Sequence, residues 1–192
     1  MNVPLRSICV FCGSSLGNRP EYAEMAALFG SLLAQRGIRL VYGGGNVGLM
    51  GVLADAALAA GGRVIGVMPV AVLPREIAHQ GLTEFHEVPT FAERIARFHA
   101  LSDAFIAMPG GIGTMEEMMV AWTMNQLAEV DKPVGLLNVS DFYRPCLGFI
   151  DHMVACKFLP AEHRHSICVD GDPAVLIDQL RHFVPSTVPK WL

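Results

Sequence analysis

A chain of 192 residues, 52% apolar and with 12 prolines scattered along it, is long enough for one domain that buries roughly 70% of its unfolded surface. Its formal net charge of −4 offers no electrostatic footprint for polymeric nucleic acid or an anionic membrane, although local donors can still hold a small anion. No stretch reaches the ~18 consecutive apolar residues that span a bilayer, and Ile8 to Phe11 is too short for a signal-peptide core, so a cytoplasmic protein is expected.

Taken in order, Arg6 to Cys12 is an apolar run that predicts a first strand, with Gly13-Ser14-Ser15 as the polar turn after it. Pro20 to Arg36 carries apolar residues at helical spacing (Ala23, Ala27, Leu28, Leu32) and stops at Gly37, a suitable C-cap. A second strand, Ile38 to Tyr42, runs into Gly43-Gly44-Gly45-Asn46-Val47-Gly48-Leu49-Met50-Gly51, which opens a helix through Ala60. Arg63 to Met68 is a third strand, Val70 to Gly81 is less regular, and Thr83 to Val88 is a fourth strand before a helix from Phe91 to Leu101. The fifth strand, Ala104 to Met108, leads into Pro109-Gly110-Gly111-Ile112-Gly113-Thr114-Met115-Glu116-Glu117 and a helix from Met115 to about Leu127. After Lys132-Pro133 come a sixth strand (Val134 to Val139), a helix (Asp141 to Cys156), a last strand (Ser166 to Val169) and a helix from Pro173 to Phe183, N-capped by Asp172.

Short continuous apolar strands alternating with helices imply a parallel sheet covered on both faces, that is, a doubly wound α/β fold. No linker, repeat or composition shift divides it, so residues 1–192 are expected to form a single nucleotide-binding domain. Ligands of such sheets sit at the carboxyl ends of the strands near a topological switch point. The glycine- or serine-rich turns after the first, second and fifth strands are therefore expected to converge on one pocket.

The turn from Pro109 to Glu117 carries the clearest chemistry. Glycines expose bare backbone N–H groups, a helix N-terminus attracts an anion, and Thr114 adds a hydroxyl. Glu116 and Glu117 follow in what the pattern places as the first helical turn, about 100° apart around the axis, so they cannot share one role. Gly43, Gly45 and Gly48 satisfy G-x-G-x-x-G after a strand, a weak signal by itself. The acid that would hold a ribose 2′-OH is missing, since Val67, Met68 and Pro69 stand at the end of the next strand; a conventional nicotinamide site is not expected. Five cysteines, including Cys9-Val10-Phe11-Cys12, lie in apolar runs or helical patterns and suit buried thiols better than a redox or metal pair. His163-Arg164-His165 lacks a clustered third ligand and is expected to be a surface loop.

Together, Phe-Cys-Gly-Ser-Ser at 11–15, Gly-Gly-Gly-x-x-Gly-Leu-Met-Gly at 43–51 and Pro-Gly-Gly-x-Gly-Thr-x-x-Glu at 109–117 resemble the Lonely Guy family of cytokinin riboside 5′-monophosphate phosphoribohydrolases. The likeness extends over Ser102 to Ile106 and Lys132 to Asn138. It implies a Rossmann-like fold, a homodimer, no metal or organic cofactor, and hydrolysis of the N-glycosidic bond of AMP or N6-substituted AMP to free base and ribose 5-phosphate. By motif match it implies Arg94 and Glu117 as catalytic residues, and Gly13, Ser14, Gly44, Gly45, Glu76, Gly110, Gly111, Gly113, Thr114, Glu116 and Thr123 as substrate contacts. An alternative within the same fold is a non-catalytic nucleotide or molybdenum-cofactor carrier, which would not need both Arg94 and Glu117.

Members of that family were once labelled lysine decarboxylases, but a Schiff-base lysine is required for that chemistry and Lys132, Lys157 and Lys190 all lie away from the glycine turns in sequence. The chain departs from the family's usual pattern at Ile95, where a lysine is common, and at Val120, Met124 and Val130. Arg97 and His99 lie at helical spacing from Arg94 and Ile95, and one of them is expected to substitute in part for the missing charge.

Overall fold

The computed structural model describes residues 4–72 and 77–185. The expected alternation is present as β1 (Ser7–Phe11), α1 (Pro20–Gln35), β2 (Arg39–Tyr42), α2 (Gly48–Ala59), β3 (Val64–Pro69), β4 (Glu84–Val88), α3 (Phe91–Leu101), β5 (Ala104–Ala107), α4 (Ile112–Gln126), β6 (Val134–Leu137), α5 (Arg144–Ala155), α6 (Ala161–His165), β7 (Ile167–Asp170) and α7 (Pro173–Arg181). The seven strands pair in parallel in the order β4-β3-β2-β1-β5-β6-β7, the doubly wound arrangement expected. Among the described residues no helix is long and apolar enough to cross a membrane.

The pleat of β1 explains why its apolar run is continuous. Ile8 and Val10 face one layer, with α1, α2 and α7, where Phe29, Leu33, Leu53, Leu176 and Leu180 are fully buried. Cys9 and Phe11 face the other, with Phe98 of α3, Met118 and Trp122 of α4 and Ile150 of α5. Both faces are dry, so both sets of alternate side chains are apolar. Asp103 fixes the register where β1 meets β5: its Oδ2 accepts from the backbone N–H of Arg6 and Ser7 at 2.8 and 2.9 Å, and Ile8 then pairs with Ala104 through to Phe11 with Ala107.

Several boundaries move. α2 begins at Gly48, five residues after the first glycine of its turn, whereas α4 begins at Ile112, three residues before its predicted start. The second shift carries Glu116 and Glu117 out of the first turn of α4 into the second, so the helix dipole acts on them less than expected. Residues 161–165 form a short helix in which His163 is buried, not a surface loop. Asp172 caps α7 as expected, accepting from Ala174 N at 2.7 Å. All five cysteines are free; Cys9 and Cys12 are buried, whereas Cys156 at the end of α5 is exposed. After β6, Ser140 and Asp141 take consecutive left-handed conformations (φ 49° and 60°), held by Asn138, whose Oδ1 accepts from Tyr143 N at 2.7 Å.

Candidate active site

The chain reverses its direction of winding at β1, which has β2 on one side and β5 on the other. The turns after these strands therefore meet at the switch point. Gly13 N donates to Pro109 O at 3.0 Å, stitching the turn after β1 to the turn after β5, and Leu49 N donates to Gly13 O at 3.0 Å, bringing in the start of α2. Gly48 sits in the left-handed region (φ 56°), against the backbone of Ser14 and Ser15, where a Cβ would collide. These contacts join the three turns as expected.

Beside them lies a cavity of about 230 Å³ lined by Cys12, Gly13, Ser14, Gly43, Met50, Arg94, Gly111, Ile112, Gly113, Thr114 and Glu117 among others. α3 supplies Arg94 and α4 supplies Glu117, and their side chains pair at 3.3 Å, with side-chain exposures of only 13% and 14%. Arg94 is further held by its Nε, which donates to Val67 O at the end of β3 at 3.2 Å, and by the Phe98 ring, 5.2 Å below the guanidinium carbon. A guanidinium with these three supports is oriented before any ligand arrives. Burial and then the nearby Glu117 carboxylate push the Cys12 thiol well above its ordinary range. It lines the cavity as a neutral group and is poorly suited to act as a nucleophile.

The three glycines of the Pro109 to Thr114 turn do different things. Gly110 is required by packing, because a Cβ there would meet Thr114 Oγ1 and Gly13 N. Gly111 and Gly113 are not. Neither has a positive φ, and a Cβ on either would meet nothing within 4 Å. Both nevertheless line the cavity, so an open space stands over the backbone N–H groups that begin α4, groups that have no intrahelical acceptor. Such a surface suits a phosphate.

Of the residues expected at the site, the structure brings Gly13, Ser14, Arg94, Gly111, Gly113, Thr114 and Glu117 to this cavity. Gly110 lines a neighbouring cavity across the turn, with Tyr22, Leu49 and Phe142. Gly44 and Gly45 do not line the cavity. Gly44 O accepts from His79 N at 3.0 Å and Gly45 forms an antiparallel bridge with Ala78, so both are engaged by the segment before β4. Glu116 and Thr123 are exposed on α4 and do not line the cavity; Glu116 stands one residue, about 100° of helix rotation, from Glu117, which does. Glu76 lies outside the described residues. Arg97 lines a separate cavity with Val88 and Glu93. His99 is buried against the Phe105 ring, 4.5 Å between centroids, on the face of α3 that Ile95 also packs into the apolar layer. Neither Arg97 nor His99 therefore replaces a basic group at the cavity.

Sequence reasoning missed Gly43, Met50, Cys12 and Ile112. The signal for Gly43 and Cys12 was position: each directly follows the end of a central strand, the point nearest the switch. A Cβ on Gly43 would run into the Arg94 guanidinium and meet Met50 Sδ at 3.0 Å. Lys132 is engaged elsewhere, donating from Nζ to His99 O at 2.5 Å, and neither it nor Lys157 lines the cavity. Among the described residues no group of three or more His, Cys, Asp or Glu is placed to hold a metal ion.

Residues 50–180 match the family model described as "Possible lysine decarboxylase". The chain is 44% identical over 182 residues to the probable cytokinin riboside 5′-monophosphate phosphoribohydrolase LOGL9 of Oryza sativa subsp. japonica, covering 94% of this chain and 79% of that protein. It is 44% identical over 180 residues to the cytokinin riboside 5′-monophosphate phosphoribohydrolase LOG1 of Arabidopsis thaliana, covering 94% and 84%. Among solved structures, the molybdenum cofactor binding protein of Rippkaea orientalis superposes with a TM-score of 0.68 at 24% identity, over 92% of this chain and 95% of that one, a likeness of fold alone. The shared sequence, running through both glycine turns and the helices that carry Arg94 and Glu117, makes this chain a member of the Lonely Guy family of cytokinin riboside 5′-monophosphate phosphoribohydrolases.

Proposed function

We propose that this protein hydrolyses the N-glycosidic bond of AMP or N6-substituted nucleoside 5′-monophosphates, releasing the base and ribose 5-phosphate. The observation that carries this is the pairing of Arg94 with Glu117 at 3.3 Å in the same cavity as the open N-terminus of α4. The phosphate rests on the N–H groups and hydroxyl from Gly111 to Thr114, which places the ribose toward Glu117. As the C1′–N bond breaks, its electron pair leaves with the base, and the Glu117 carboxylate stabilises the oxocarbenium-like sugar. Arg94 donates to the departing base as negative charge develops on it. Water then adds to C1′ and gives its proton to Glu117, which passes it on to the base anion, so nucleotide and water yield neutral base and sugar phosphate and the carboxylate is regenerated.

The same reading includes a homodimer in the cytoplasm. The outward face of α4, with Thr123 and Leu127 exposed, supports a contact with a second copy, and five free thiols fit a reducing compartment. Sedimentation of the purified protein tests the oligomeric state. The carrier alternative is supported less well: its solved examples share the fold at 24% identity or below, and holding a phosphorylated ligand does not require the Arg94–Glu117 pair.

Incubation with AMP and with N6-isopentenyl-AMP, with chromatography of the free base, tests the proposal. Release is expected, and Glu117→Ala is expected to lower kcat by about 10²- to 10⁴-fold. Nucleotide binding without release from either compound would remove the hydrolase reading in favour of the carrier.

A further inference from the structure

We infer that Asp55 and His79, neither of which lines the cavity, are positioning residues that hold the seat of Arg94. His79 is buried. Its Nδ1 accepts from Gly81 N at 3.0 Å, which assigns the proton to Nε2, and Nε2 donates to Asp55 Oδ1 at 3.0 Å. Both ring nitrogens are thereby committed, and the ring cannot turn without losing one partner.

What the ring fixes is a strap laid antiparallel across the turn after β2. His79 N donates to Gly44 O at 3.0 Å, Asn46 N donates to Ile77 O at 2.7 Å, and Gly45 bridges Ala78. Gly44 is left-handed (φ 82°) and lies on the backbone of Gly66 and Val67. The strap therefore bears, through Gly44, on two of the contacts that seat Arg94: the adjacent Gly43, against which the guanidinium rests, and Val67, whose carbonyl receives Arg94 Nε. The Asp55 side chain is 68% exposed, so its hydrogen bond adds little to stability; its effect is on geometry. Displacing a reacting group by about 1 Å costs on the order of 10²-fold in rate, and smaller shifts cost proportionately less.

The test uses the full chain. The kinetic arm rests on the hydrolase reading, so a spectroscopic arm runs beside it. In ¹⁵N–¹H spectra, Asp55→Ala and His79→Ala are expected to shift and broaden the Arg94 Nε–H signal and to speed amide exchange at Asn46 and His79 by about tenfold, with the Leu40 amide of β2 unchanged. Asp55→Asn, which keeps an acceptor oxygen, restores the wild-type spectrum. For AMP hydrolysis, Asp55→Ala is expected to lower kcat about tenfold with KM within about twofold, and to have no further effect in an Arg94→Ala background. An unchanged Arg94 Nε–H signal in Asp55→Ala overturns the inference, as does an equal loss of kcat with and without Arg94. A wild-type protein that releases no base overturns the hydrolase reading while the spectra still decide the positioning role.

Discussion

Replacing Gly113 by alanine separates a glycine kept for the fold from one kept for a ligand. Gly113 is the second residue of α4, has no positive φ, and an added Cβ meets nothing within 4 Å. In a helix, glycine is less favourable than alanine by about 0.5–1 kcal/mol. Gly113→Ala should therefore stabilise the protein by about that amount, raising Tm by about 1–4 °C for a chain of this size. The new methyl would occupy the space assigned to the phosphate. Losing one charge-assisted hydrogen bond of about 1.5–3 kcal/mol should raise KM for AMP roughly 10- to 100-fold. Thermal unfolding monitored by circular dichroism reads the first effect, and initial rates of base release read the second. A rise in Tm with an unchanged KM would refute the placement of ligand over this turn, and a fall in Tm would show the glycine to be structural. Gly110→Ala is the internal contrast, because its Cβ would meet Thr114 Oγ1 and Gly13 N and should lower Tm.

Gly43→Ala should push the Arg94 guanidinium off Gly43, lowering kcat about 10²-fold with little change in Tm, since a flexible side chain can yield; unaltered kcat would show that Arg94 does not act from this seat. Burial, and then the Lys132 ammonium, hold the His99 imidazole down at about 4, below its unfolded value, so the native state keeps His99 neutral while the unfolded chain takes up a proton. That contribution to stability is whole above pH 6.5 and is lost as pH falls toward 4, an effect of order 2 kcal/mol. Urea unfolding of wild type and His99→Leu at about pH 7.5, 5.5 and 4.5 checks it: the gap in favour of wild type should narrow as pH falls, and a constant gap would refute the shift.

The layered fold was legible because both faces of the sheet are apolar, so strand runs and helical spacing gave the alternation directly. The pieces missed were short or nonlocal. The five-residue α6 is too short for a periodicity to register, and α4 begins inside its glycine turn because Gly113 and Thr114 are compatible with helix once Gly111 caps it. At the site, the motif spacing picked out the Pro109 turn, three of whose residues line the cavity along with Ile112 and Glu117, but it could not say which glycines of the Gly43 turn do so. Gly44 and Gly45 are claimed by Ile77 to His79, more than thirty residues away, and only their neighbour Gly43 is left to the cavity. In α3, helical spacing correctly grouped Ile95 with His99, but which face of the helix meets the apolar layer is a tertiary matter, decided by Phe105.

The pairing of β1 with β5 also governs when the site comes into being. β1 to β4 pair with strands adjacent in the chain, but Ile8 meets Ala104 across nearly a hundred residues, and contacts of that span form slowly because the loop must close first. Asp103 at one end of this pairing and the Gly13–Pro109 hydrogen bond at the other complete it. During synthesis, β1 to β3 can begin to collapse while β5, the second partner of β1, is still unmade, and neither Glu117 nor the N-terminus of α4 is yet in place. A chain with this cavity formed has therefore already made its longest-range strand pairing, and ligand added during refolding can speed only the steps after it.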